Sequence, residues 1–300
     1  MHATLQPLKA TVGLWTSTHE SVLPTRISEV TSRVEDAGFS MLWVPEAYGR
    51  EAMTGAQLLL DASWKLVVAT GIASIYARDA MAAASAARTL ADRSSGRFVL
   101  GLGVSHRPLV ERTRGGVYDP PIAAMRSYLD AFDAAAVLTA EHGVRAPVVL
   151  AALGPRMLEL AATRADGALT YLVDVTHTAS ARKVLGDEGF LAVELAVVLG
   201  EGRDEFLRRA HEHLNIYTGL ENYRANWRRL GFGKDDFVRG GSERLCDAMV
   251  VHGDESAILG RVNEHLAAGA DHVCLQVLGP SAVEVPYAEW ERIGAAMRLP

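Results

Sequence analysis

The segment Gly154-Pro155-Arg156 offers the clearest chemistry in this chain of 300 residues. It follows the apolar run Pro147-Val-Val-Leu-Ala151 and opens a helical pattern that reaches Arg164. Gly154 lets the backbone turn, and Pro155 suits the first position of a helix. The free N–H groups and dipole of such a helix start attract an anion. Arg156 could add a guanidinium. A phosphate would fit there, and an ordinary strand-to-helix turn is the competing reading.

A second segment, Gly101-Leu-Gly103-Val104-Ser105-His106, begins like a dinucleotide fingerprint. The third glycine position holds His106 and no long helix opens there, so the fingerprint fails. The final glycine of a nucleophile elbow is also missing. What remains is flexible backbone beside a hydroxyl and an imidazole. That suits contacts to a ribityl chain or a phosphate, or leaves His106 as a surface imidazole.

Other chemistries find little support. His211-Glu-His213 lacks the spacing of a zinc-binding helix, so no metal is expected and both rings read as solvated. Glu46 is the one acid immediately after an apolar strand, with Asp174 a second candidate, so paired carboxylates are not evident. Walker-type loops are absent. Lys65 precedes its strand, which disfavours a Schiff-base barrel. Arg107, Arg112 and Arg114 share a loop with Glu111; they read as a solvated loop or as a receiver for an anionic tail. Trp15, Trp43 and Tyr76 lie near strand ends, where they could flank a planar ring or belong to the core.

These residues need a frame. Short apolar runs alternate with longer amphipathic ones. The strands read as Thr11–Trp15, Met41–Val44, Leu66–Ala69, Arg97–Leu100, Pro147–Ala151, Gly167–Thr170, Leu191–Leu199 and His272–Val277. Helices are expected at Pro24–Ala37, Asp79–Asp92, Ile122–Leu138, Gly154–Arg164, Thr178–Leu185, Asp204–Leu214, Glu255–Ala268 and Tyr287–Arg298. Strands that are apolar throughout, each followed by a helix, indicate a parallel sheet covered by helices. About eight such units in this length favour a closed (β/α)8 barrel of the TIM type, with its site in the loops after the strands. Residues 216–253, richer in Arg, Tyr and Trp, are expected to be extra helices inserted between the seventh and eighth strands. No linker divides the chain, so residues 1–300 read as one domain.

Composition bounds the function. The chain is 49% hydrophobic and 22% charged, enough to bury a large core. Thirty Lys and Arg against 36 Asp and Glu give a net charge of −6 with no basic stripe, so no nucleic-acid partner is expected. The two cysteines, Cys246 and Cys274, suit a reducing cytosol. Met1–Ala10 lacks a signal-peptide pattern, and no apolar stretch of about 18 residues predicts a membrane span. A cytoplasmic location is the expectation.

Six segments taken in order resemble a known family. They are Gly38-Phe-Ser-Met-Leu-Trp-Val-Pro-Glu46, Val68-Ala-Thr-Gly-Ile-Ala-Ser-Ile-Tyr-Ala-Arg78, Gly96-Arg-Phe-Val-Leu-Gly-Leu-Gly-Val-Ser-His106, Leu150-Ala-Ala-Leu-Gly-Pro155, Ala165-Asp-Gly-Ala168 and Gly269-Ala-Asp-His-Val273. The chain resembles the luciferase-like monooxygenase superfamily, in its actinobacterial coenzyme F420-dependent oxidoreductase branch. The resemblance implies a barrel that holds the deazaflavin F420, or FMN, at its C-terminal mouth. It implies a non-prolyl cis peptide at Gly71–Ile72 pressing on one face of the ring, with Trp15 and Ala73 beside it. Gly103, Val104 and Ser105 match the loop near the cofactor side chain, and Ala152, Leu153 and Gly154 match the phosphate turn, with Arg156 next to them.

Some members carry Asp-His after the second strand; here the pair is Glu46-Ala47. Glu46 becomes the first acid–base candidate, with His106 and His177 as substitutes. Glu46 could instead cap a helix or pair with Arg50 or Arg78. The implied activity is hydride transfer between F420 and a small organic substrate. The alternatives are an FMN-dependent monooxygenase on the same barrel and a cofactor-binding barrel without turnover. A homodimer is a family expectation.

Overall fold

The computed structural model describes residues 2–136, 143–281 and 283–298. In chain order it contains β1 (Thr11–Trp15), α1 (Ile27–Ala37), β2 (Met41–Val44), α2 (Ala52–Asp61), β3 (Val67–Thr70), β4 (Ala73–Ser74), α3 (Ala80–Arg93) and β5 (Phe98–Gly103). Then come α4 (Pro121–Asp133), β6 (Val148–Ala151), α5 (Pro155–Arg164), β7 (Gly167–Thr170), α6 (Val175–Leu185) and β8 (Phe190–Leu199). The chain continues with α7 (Arg203–Tyr217), α8 (Glu221–Arg229), α9 (Glu243–Met249), β9 (Val250–Gly253), α10 (Glu255–Ala267), β10 (His272–Val277) and α11 (Tyr287–Met297).

Every pairing is parallel. The wall runs β10, β1, β2, β3, β5, β6, β7, β8, and a ladder from His272–Val277 to Ala192–Val197 closes it. This is the closed eight-stranded barrel that the strand pattern predicts.

Successive side chains along a strand point to opposite faces, which sorts the wall into two cores. Leu191, Val193, Leu195 and Val197 of β8 join Leu14, Leu42, Val68, Leu100 and Leu150 in the layer between barrel and helices. Phe190 and Ala192 turn inward with Trp15, Met41, Trp43, Ala69, Val99, Val149, Leu169 and Cys274. Leu5 and Leu8, just ahead of β1, join this interior cluster at the N-terminal end of the barrel.

Helix ends follow local chemistry. Gly38 stops α1 in the left-handed region at φ +91°, where an L side chain is strained. Asp79 caps α3 by accepting from Ala82 N at 2.8 Å. The inner face of α3 carries Ala80, Ala83, Ala84 and Ala87, all buried.

The sequence expectation missed α2, and boundaries differ in several places, β5 running on to Gly103 and α6 starting already at Val175 among them. The helix expected over Ile122–Leu138 is observed as Pro121–Asp133, and residues 137 and 138 lie outside the described residues. α7 continues to Tyr217, since Leu214 is buried with no helix-breaking residue behind it. The insertion is not wholly helical. Val250–Gly253 pairs with Ala196–Leu199 of β8, because that strand outruns its neighbour β7, whose pairing ends at Val193, and offers a free edge there.

Candidate functional site

At the C-terminal end of β3 the peptide Gly71–Ile72 is cis, as expected from the resemblance. Two glycines of β5 let this shelf lie flat. A Cβ on Gly101 would stand 1.9 Å from Thr70 O, and one on Gly103 would stand 2.6 Å from Ile72 Cδ1. Thr70 Oγ1 fixes the junction, donating to Gly101 O at 2.7 Å and accepting from Gly101 N at 2.9 Å. Trp15 Nε1 donates to Gly71 O at 2.9 Å. Ala73 does not face the mouth: it is buried in the outer core, because β4 turns its side chain away from the barrel axis.

Glu46 is placed differently from the expectation. Its Oε1 accepts from Ala52 N at 3.2 Å and from Arg78 Nη2, and its Oε2 accepts from Ser74 N at 2.8 Å. The Glu46 side chain is 3% exposed and that of Arg78 is 10% exposed. Glu46 thus anchors β4 and the start of α2 through three accepted hydrogen bonds. Arg50 turns elsewhere, to His19 O at 2.6 Å and to Val22 O.

His177 also has a structural task. Its Nε2 lies 2.9 Å from Leu153 O, and since a carbonyl only accepts, Nε2 carries the proton. Nδ1 is buried without a partner among the described residues. Burial pulls the ring's pKa down, so a neutral imidazole props the β6–α5 turn. His106 is different. Its ring stands 5.9 Å from that of Tyr223, centroid to centroid, at the mouth, and burial lowers its pKa. Beside it Val104 and Ser105 are half-buried, and Ser105 has φ +54°.

At the anion turn, Ala152 is buried, Leu153 and Gly154 are half-buried, and Gly154 precedes Pro155 at the first turn of α5. The guanidinium over this turn is not that of Arg156, which is exposed beside Pro120, Ile122 and Arg126 of the α4 side. It is Arg229 of α8, whose Nη2 would lie 3.7 Å from a Cβ on Gly154. Arg229 is held by Asn226 Oδ1 at 3.0 Å, and burial lowers its pKa. Its distance in sequence hid it. Arg107 pairs with Glu111 at 2.5 Å and lies over Tyr118, while Arg112 and Arg114 are exposed on the same loop.

The inward alternation of β8 brings up a residue that the sequence reading overlooked. Phe190 and Ala192 face the axis, so Glu194 does too, level with Cys274 of β10. Glu194 is 0% exposed. Its Oε2 accepts from Leu172 N at 3.0 Å, and its Oε1 has no partner among the described residues. Burial pushes the carboxyl up to about 8, so it is protonated at neutral pH. The available signal was a single acid inside the ten-residue run Phe190-Leu-Ala-Val-Glu-Leu-Ala-Val-Val-Leu199.

Around it, Tyr217 Oη donates to Tyr171 Oη at 3.0 Å, which donates to Gln276 Oε1 at 2.6 Å. Aromatic rings connect this chain to the shelf. Tyr171 meets Trp15 edge-on at 5.5 Å, and Tyr217 meets Tyr223 at 4.8 Å. Trp227 backs Tyr223 and donates to Leu172 O at 3.1 Å. The mouth is therefore a shelf after β3, the β6–α5 turn two strands on, and an aromatic roof from α7 and α8 over a protonated carboxyl.

A family model described as luciferase-like monooxygenase matches residues 9–269. A Mycobacterium tuberculosis protein named as a coenzyme F420-dependent oxidoreductase is 32% identical over 182 residues, which cover 60% of this chain and 50% of that one. The chain spans about half the length of the curated relatives it matches. The fold matches the coenzyme F420-dependent tetrahydromethanopterin reductase of Methanopyrus kandleri, with TM-score 0.68, 20% identity and coverage of 95% and 97%. It also matches the oxygenating constituent of 3,6-diketocamphane monooxygenase from Pseudomonas putida in complex with FMN, with TM-score 0.69, 12% identity and coverage of 96% of both chains. Among the described residues, no helix is long and apolar enough to cross a membrane.

Proposed function

We propose that this chain, which belongs to the luciferase-like monooxygenase family, is an oxidoreductase that uses coenzyme F420 on a small organic substrate. When bound, a 5-deazaflavin supplies hydride transfer and disfavours oxygen activation, since carbon replaces the reactive ring nitrogen of a flavin. The observation that carries the reading is that a glycine-flattened shelf and a guanidinium-topped helix start open onto one mouth. Gly71, Ile72 and Gly103 suit a planar ring, and Leu153, Gly154 and Arg229 suit its phosphate. Val104, Ser105 and His106 follow the strand between, β5, and suit its polyol chain.

The chain's own residues then divide the work. Trp15 and Thr70 hold the shelf, Glu46 and Arg78 hold the segment behind it, and His177 holds the phosphate turn. Tyr171, Tyr217 and Tyr223 exclude water from the substrate side. The sequence relative named for F420 supports F420 over FMN.

Fluorescence titration of the purified protein with each cofactor tests this reading. Saturable F420 binding that weakens when Arg229 becomes Ala is expected. Tight FMN binding with none for F420 would assign the chain to flavin-dependent oxygenation instead.

A further inference from the structure

The wall order sets β3 and β8 four strands apart in either direction, so the shelf and Glu194 belong to opposite walls of the barrel. A planar ring resting on Ile72 would turn its open face towards Glu194. From this placement we infer that Glu194 is a catalytic acid of the site, and that the site takes a neutral carbonyl compound with an apolar body. The inference rests on the function proposed above for its hydride source.

Three observations carry it. Glu194 is fully buried and faces the axis from the middle of a strand, so its place is fixed by the wall. Of its two oxygens only Oε2 is satisfied among the described residues; Oε1 is buried without a partner there and is the donor when the carboxyl is protonated. Such a group is costly in apolar surroundings unless a ligand completes it. Among the described residues its neighbours also hold no positive charge that would turn it into a carboxylate. The titratable groups facing it are Tyr171 just after β7, Tyr217 of α7, Tyr223 of α8 and Cys274 of β10, and burial raises the pKa of each.

A substrate seated there meets one hydrogen-bond donor among aromatic edges, which fits an uncharged carbonyl oxygen and rejects a carboxylate or phosphate. In the step, the two electrons and one hydrogen of a hydride from the reduced deazaflavin form a new C–H bond at the carbonyl carbon. The C=O π pair moves to oxygen and takes the Glu194 proton, forming O–H. The substrate is reduced, the deazaflavin is oxidised, and Glu194 is left as a carboxylate that solvent protonates again.

Cyclohex-2-enone serves as the probe, added to the purified protein with and without oxidised F420. The infrared spectrum of the bound probe should show its carbonyl stretch displaced to lower frequency at pH 7, and Glu194→Gln should shrink that displacement. In wild-type protein alone, the displacement should fade as pH rises through about 8, so the result does not depend on the variant folding. With reduced F420, Glu194→Gln should slow single-turnover reduction of the probe by about 100-fold while F420 affinity is kept. No saturable probe binding, or a displacement indifferent to both pH and the substitution, overturns the inference. A protein that displaces the probe stretch through Glu194 yet binds no F420 sinks the hydride source and leaves this acid standing.

Discussion

Trp15 joins the two sides of the mouth: its Nε1 donates to Gly71 O at 2.9 Å while its ring meets the edge of Tyr171 at 5.5 Å. Trp15→Phe keeps an aromatic ring and removes the donor. A neutral hydrogen bond of this kind contributes about 1 kcal/mol. Ring binding at the shelf should therefore weaken by roughly fivefold, read by fluorescence titration, with a similarly small loss in the denaturant midpoint.

Glu46 and Arg78 hold the shelf from behind, and their effect should be on stability first. Removing one partner leaves a buried charge uncompensated, which typically costs about 3–5 kcal/mol. Arg78→Met should lower urea stability by roughly that amount, and Glu46→Gln added to it should recover part of the loss. Were Glu46 a proton donor to substrate, the single Glu46→Gln variant would instead melt normally and lose turnover.

Stability should respond to pH in two windows of opposite sign. Glu194 titrates near 8 in the folded chain against an ordinary value of 4.5. Between those values the native state keeps a proton that the unfolded state has released, so stability falls as pH rises through the window. His19, His213, His265 and His272 are drawn from 6.5 to about 4, chiefly by burial. The unfolded state then binds the extra protons, so stability falls as pH drops from 6.5 towards 4. The melting temperature of Glu194→Gln relative to wild type isolates the carboxyl, since the histidines cancel. That difference should grow from pH 5 to pH 8 and level off above.

The loop with Arg107, Arg112 and Arg114 distinguishes the two cofactors. F420 carries an oligoglutamate tail and FMN does not. Changing all three to Ala should weaken F420 binding and flatten its salt dependence, while FMN affinity stays unchanged. Equal losses for both cofactors would place these residues in the ring or phosphate seat instead.

The barrel was legible because its signals are local. Apolar runs such as Met41–Val44 and Gly167–Thr170 appear as strands with the expected limits, and Asp79 caps α3 as its side chain requires. The cis peptide at Gly71–Ile72 was legible through the family resemblance, while the close approaches at Gly101 and Gly103 show only in the structure. Side-chain partnerships were not. Glu46 follows a strand and so looked available, but Arg78 and Ser74 claim it from 32 and 28 positions away. Arg229 reaches Gly154 from an inserted helix, which no spacing rule predicts. Glu194 was hidden by the opposite effect: an apolar run reads as core throughout, and only the alternation of a closed wall separates the face that lines the mouth.

β8 runs ten residues, and Ala196–Leu199 continue past the end of β7 to take β9 as a further partner. The roof above the mouth is therefore riveted to the same rod that bears Glu194, instead of swinging on a tether. Traffic in and out must then pass at its margins, and a change of diet in this chain would come more cheaply from trading side chains on α7 and α8 than from loosening a flap.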